Sequence, residues 1–225
     1  MDSISNSTVN LEKLSIPAFP NEVTAGSTIL IAGTTDPSEY ALGLTALCQY
    51  GQHDDSGLVV TTVDSAERTL EHYNTVCSAT DRPEIGLVDT ISEQQYLSAI
   101  YSDPPTVFTP SANDLERIVV ALSELLDCSI FTRGSRHLIV RSLTPLLTRA
   151  PLARVCQVLQ RISGLQTENG IGVYGLEYTK HDEETITELT KYVDGILWVT
   201  ERSDQTLEFD FESTRRQVTP RKIEE

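Results

Sequence analysis

The sequence predicts one α/β domain, a mostly parallel β-sheet covered by helices on both faces. Short segments that are apolar throughout recur along the 225 residues, the pattern of strands buried on both sides. Stretches with apolar residues at helical spacing lie between them, as in successive βαβ units. No repeat, low-complexity tract or linker interrupts the alternation. The expected organisation is a polar leader over 1–20, one domain over 21–212 and a charged tail over 213–225.

The first strand is Ser27 to Ala32, an apolar run bounded by Gly26 and Gly33. Helical spacing follows through Tyr40, Leu44 and Leu47. Gly57 to Thr62 is the second strand, and Ala66 to Val76 a helix with Ser65 as its N-cap. Ile85–Val88 and Thr106–Phe108 are weaker strands. From Asp114 to Leu126, the residues Leu115, Ile118, Val119, Leu122, Leu125 and Leu126 form a helical stripe. His137–Val140 is a strand and Leu152–Ile162 a helix. Ile171–Leu176 and Gly195–Thr200 are strands with a helix, Glu183–Tyr192, between them. Leu207–Phe211 alternates acidic and apolar residues, as an exposed edge strand does.

Composition excludes several functions. Thirty-three acidic residues face thirteen Arg and four Lys, a net charge of −16. Such a surface repels nucleic acid and anionic membranes. Arg215, Arg216, Arg221 and Lys222 make a basic cluster in the tail, read as solvated residues balancing local acid. No apolar run approaches the roughly 18 residues that span a bilayer. Met1 to Asn10 lacks the order of a signal peptide, so a cytoplasmic location is expected and the sequon Asn6-Ser7-Thr8 carries no weight. Cys48, Cys77, Cys128 and Cys156 are scattered, and their spacing supports neither a metal site nor a disulfide. There is no GxSxG, HExxH or CxxC motif.

Ligands of open α/β sheets bind at the carboxyl ends of strands, beside helix N-termini. After the first strand the frame of a phosphate loop, GxxxxGK[ST], reads Gly33-Thr34-Thr35-Asp36-Pro37-Ser38-Glu39-Tyr40. Ser38 stands where a second Gly would take positive φ. Glu39 puts an anion where phosphates need a cation, unfavourable by about 4 kcal/mol at 4 Å and an effective dielectric near 20. Tyr40 is too bulky to replace a small hydroxyl on magnesium, and Asp36 adds negative charge.

Four segments in order make the chain resemble the KaiC/RecA-like P-loop ATPases, as a short archaeal member. They are Gly26–Gly33, Gly57–Ser65, His137–Leu147 (HLIVRSLTPLL, like a Walker B strand and its continuation) and His181–Thr185 leading to Val193-Asp194-Gly195. The resemblance implies a three-layer RecA-like P-loop NTPase fold. It also shows what is missing. The Walker B Asp position is Arg141, and the acidic pair that activates water in such enzymes is Val63 and Asp64. The acid-rich, lysine-poor composition resembles cytosolic proteins of salt-loving archaea, so a haloarchaeal, halophilic chain is expected.

The expectation is therefore a degenerate ATPase with no catalytic, cofactor-binding or metal residues and no cofactor. It would be regulatory, acting on a protein partner: itself or an active KaiC-like relative. The alternatives are an ATP-binding or ATP-hydrolysing enzyme with an altered loop, or a DNA-associated regulator using the basic tail. In the family fold the two Walker segments lie side by side, so Glu39 and Arg141 are expected to form an internal ion pair, or Arg141 to reach solvent. Asp64 is read as a helix-entry carboxylate or a surviving base, Asp182 as a helix cap beside His181, and His53-Asp54-Asp55 as an exposed turn.

Overall fold

The computed structural model describes residues 16–77, 82–92, 97–111, 113–203 and 206–214. The strands are β1 (Thr28–Gly33), β2 (Ser56–Thr61), β3 (Glu84–Asp89), β4 (Leu97–Ala99), β5 (Thr106–Phe108), β6 (Arg136–Val140), β7 (Gly172–Glu177), β8 (Gly195–Glu201) and β9 (Leu207–Ser213). The α-helices are α1 (Leu42–Tyr50), α2 (Ala66–Val76), α3 (Leu115–Leu126), α4 (Thr144–Arg149), α5 (Leu152–Ser163) and α6 (Glu183–Leu189). The strands join in one sheet, ordered β4-β5-β3-β2-β6-β7-β1-β8-β9. Every pairing is parallel except the two outermost, β4 with β5 and β8 with β9.

Alternate side chains of the central strands feed two cores, as the period of two requires. Leu30, Leu58, Val60, Leu138 and Tyr174 pack with α3 and α5 on one face. Ile29, Ile31, Val59, Ile139 and Val173 pack with α1 and α2 on the other. This is the expected three-layer α/β architecture.

The helix starts follow local chemistry. Ser65 accepts from the Arg68 N–H, Asp114 from the Arg117 N–H and Asp182 from the Thr185 N–H, each satisfying a first-turn donor. Helix α4 and strand β4 have no strong sequence signal: the first is six residues long with Pro145 in its opening turn, the second three residues long.

Three expectations are corrected. The two Walker-like strands are not neighbours, because β7 lies between β1 and β6. The insertion brings β7 against the end of β6 at Gly175, where a Cβ would strike the Arg141 carbonyl. Cys48 and Cys77 form a disulfide, Cα–Cα 5.7 Å, between α1 and the C-cap of α2. Packing of the two helices brings together cysteines whose spacing along the chain says nothing. His53 and Asp54 form the expected exposed turn, but Asp55 is half-buried. It accepts from the Ser135 N–H at 2.6 Å and the Gln52 N–H at 2.9 Å, and faces His137 Nε2 at 3.4 Å. His137 is 1% exposed, and its Nδ1 accepts the Ile171 N–H at 3.1 Å, which leaves the proton on Nε2 toward Asp55.

Candidate functional site

The carboxyl edge of β1, β2, β6 and β7 is where this fold would place a ligand. The loop leaving β1 turns on itself before α1 begins. The Ser38 N–H donates to Asp36 Oδ1 at 2.9 Å, an Asx turn. The N–H groups of Glu39, Ala41 and Leu42 donate to the carbonyls of Asp36, Ser38 and Pro37 at 3.0–3.2 Å. Ala41, the N-cap of α1, has φ 51°, which an L-residue adopts only where the surroundings impose it. A phosphate loop aims such amides outward at an anion. Here four of them are spent inside the loop.

Asp36, 6% exposed, places its carboxylate inside this turn and accepts the Ser142 hydroxyl at 2.5 Å. Ser142 follows Arg141 at the end of β6, and its carbonyl accepts the Thr62 hydroxyl at 2.6 Å. The loop after β1, the end of β6 and the end of β2 are thus stitched together.

Arg141 is the hub, 3% exposed. Its Nη1 donates to Asp64 Oδ2 at 2.7 Å and Thr69 Oγ1 at 2.8 Å. Its Nη2 donates to the Ser38 carbonyl at 2.8 Å and meets His72 Nδ1 at 3.0 Å. His72 must accept there, so its proton sits on Nε2. Burial pushes the guanidinium down, and Asp64 opposes that shift. Burial and Arg141 hold His72 below the usual imidazole range. Asp64 also contacts Arg68 at 3.3 Å, one helical turn on.

The expected Glu39–Arg141 pair does not form. Arg141 takes Asp64 as its counter-ion instead. Glu39 stays exposed, and partial desolvation with Asp36 and Glu177 nearby pushes its carboxyl up. Asp64 is neither a plain helix-entry carboxylate nor a free base, since Arg141 holds it. Tyr40 is buried, and its hydroxyl donates to Glu201 Oε2 at 2.7 Å. Burial, with Glu201 beside it, pushes the phenol up to about 12.

Asp89 escaped the sequence reading. Fully buried at the end of β3, it accepts the Ala66 N–H that opens α2, the Ile91 and Ser92 N–H groups and the Ser92 hydroxyl, all within 2.9 Å. Four donors satisfy one carboxylate and anchor α2 next to Asp64. Its signal was an acid ending an apolar strand, which alone is too common to single out. Val63 is exposed, and His181 Nε2 lies 3.3 Å from Thr144 Oγ1. Among the described residues no cluster could hold a metal ion, and no helix is long and apolar enough to cross a membrane. Residues 1–15 and 215–225, with the sequon and the basic cluster, lie outside the described residues.

A magnesium nucleotide needs outward amides, a cation on the phosphates and a carboxylate near the metal. The edge offers internally bonded amides, the carboxylates of Asp36 and Glu39, and a guanidinium already tied to Asp64. The residues do not fit that group.

Comparison with known proteins agrees with the fold and names no activity. No curated protein matches. An uncharacterized protein from Pyrococcus horikoshii, solved in complex with an unknown peptide, superposes with a TM-score of 0.56 at 13% identity, covering 85% of this chain and 84% of that one. A KaiC-like protein from the hyperthermophilic archaeon Pyrococcus horikoshii OT3 gives 0.47 at 15% identity, covering 87% and 82%. A family model spans residues 26–199, most of the chain, and the protein belongs to this family of unknown function, DUF7504.

Proposed function

We propose that this chain is a non-catalytic RecA-like domain of a halophilic archaeon, cytoplasmic and regulatory, acting through contact with another protein. One observation carries the reading: four loop amides, the carboxylates of Asp36 and Asp64, and Arg141, the one buried Arg or Lys at this edge among the described residues, satisfy one another. Four loop amides and the Arg141 guanidinium all have internal partners. Admitting a triphosphate would mean breaking those bonds and setting its charge beside Asp36 and Glu39. Uncoupling a buried ion pair alone costs about 3–5 kcal/mol. The edge then serves as scaffold, leaving the acidic surface as the place of contact. The P. horikoshii structure of like fold was solved with a peptide, and a contact of that general kind is what we carry over. Its partner would be another protein, this chain itself or an active KaiC-like relative.

Calorimetry with Mg-ATP at high salt, with a phosphate-release assay on the same sample, tests the reading. Negligible heat and background turnover are expected. A micromolar dissociation constant or genuine turnover would overturn it and restore the ATPase reading.

A further inference from the structure

Strand β9 closes one end of the sheet, seven residues long and paired only with β8 among the described residues. The Thr214 N–H donates to the Asp194 carbonyl beyond one end of the ladder, and the Arg202 N–H to the Thr206 carbonyl beyond the other. In an antiparallel ladder, bonded pairs recur every second residue. Glu208, Asp210 and Glu212 therefore turn their N–H and C=O groups inward to Thr200, Trp198 and Ile196. Leu207, Phe209, Phe211 and Ser213 turn theirs outward, away from the sheet.

The two side-chain faces of the strand differ sharply. Phe209 and Phe211 are half-buried on the α1/α2 face, where Phe209 meets the Phe19 ring at 5.2 Å between centroids. Glu208, Asp210 and Glu212 are exposed on the other face. Glu208 pairs with Arg202, and Glu212 accepts the Trp198 Nε1–H at 3.1 Å. Asp210, between them, has no side-chain partner among the described residues.

We infer that the outer edge of β9 receives an extended segment of another protein in which basic and apolar residues alternate, added as a tenth strand. This rests on reading the chain as an interaction domain. The outward amides and carbonyls would supply backbone bonds, and side chains would supply selectivity. Residues directly opposite in neighbouring strands share a face. Lys or Arg of the segment would lie beside Glu208, Asp210 and Glu212, and its apolar residues beside Leu207, Phe209 and Phe211. A second copy of β9 is a poor occupant, because each acidic row would face its own like charges.

The probe is the capped peptide Lys-Val-Lys-Val-Lys-Val-Lys, titrated into the full chain by calorimetry at fixed salt. Saturable binding is expected, with none for the peptide carrying Glu in place of Lys. Asp210→Lys should weaken binding about tenfold or more. Two N-methylated peptides separate strand addition from diffuse attraction. Blocking the amides of one alternate set should abolish binding, and blocking the other should leave it within about twofold, since only one set can face β9. Equal affinity for both methylated peptides, or an Asp210→Lys variant that binds as well as the parent, overturns the inference. So does absence of binding, which would mean the acidic row only guards the edge against association. None of these results bears on Mg-ATP binding, so failure here is distinct from failure of the proposed function.

Discussion

Replacing Asp64 by Asn removes the carboxylate bonded to Arg141 while keeping size and one acceptor oxygen. The guanidinium stays 3% exposed, with Ser38 O, Thr69 Oγ1 and His72 Nδ1 as its remaining contacts. Removing one member of a buried pair costs about 3–5 kcal/mol, mainly by leaving the other charge desolvated. The Asp64 side chain is 18% exposed, so some of its charge is already screened, and the lower end, about 3 kcal/mol, is expected. For a domain of this size that corresponds to a melting point lower by about 6–12 °C. The assay is urea unfolding at fixed salt on the parent, Asp64→Asn, Arg141→Met and the double variant. Arg141→Met leaves Asp64 with Arg68 and partial solvent, so it should cost less than Asp64→Asn. The cycle should return a coupling of about 2 kcal/mol or more. The same cycle on Glu39→Gln and Arg141→Met should return less than about 0.5 kcal/mol, as for side chains that do not touch. A coupling near zero for the first pair, or a larger one for the second, would refute this account of the edge.

Two further outcomes follow from buried groups elsewhere. Burial holds His137 below the usual imidazole range in the folded chain, so below about pH 6.5 the unfolded chain binds the extra proton. Stability should be flat above about pH 7 and fall as the pH drops through 6.5, and the fall should shrink in His137→Gln. A urea midpoint that does not change between pH 7 and pH 5 would count against this assignment. The Cys48–Cys77 bond closes a sequence separation of 29 residues, for which chain entropy gives about 3.5 kcal/mol. Reductant should lower the urea midpoint of the parent and leave a Cys48→Ala/Cys77→Ala chain unaffected.

Much of the fold was legible because burial writes itself into the sequence. Helix α2 runs over Ala66–Val76 behind its Ser65 cap as expected, since an N-cap and an apolar stripe are local signals. β9 could be read as an edge because a strand with one wet face must alternate. The mismatch of the loop after β1 with a phosphate loop was legible as residue types at Ser38, Glu39 and Tyr40. The partners were not legible. That Arg141 would choose Asp64 over Glu39 depends on where α2 sits against the end of β6. That Cys48 would meet Cys77 depends on how α1 packs on α2. Neither arrangement has a periodicity or a spacing that a linear reading can detect.

The hub at Arg141 also bears on redesign of the site. Placing an aspartate at position 141 alone would put a third carboxylate beside Asp36 and Asp64 and take away the cation near both. Placing lysine at position 39 alone would add a cation on the surface while the amides of the loop kept their internal bonds. Each single change meets a site whose other members are already bonded to one another. Any one substitution therefore leaves the loop amides and Asp64 committed to their present partners. An attempt to engineer nucleotide binding here would have to rebuild the loop from Asp36 to Ala41 together with Asp64 and Arg141, as one unit.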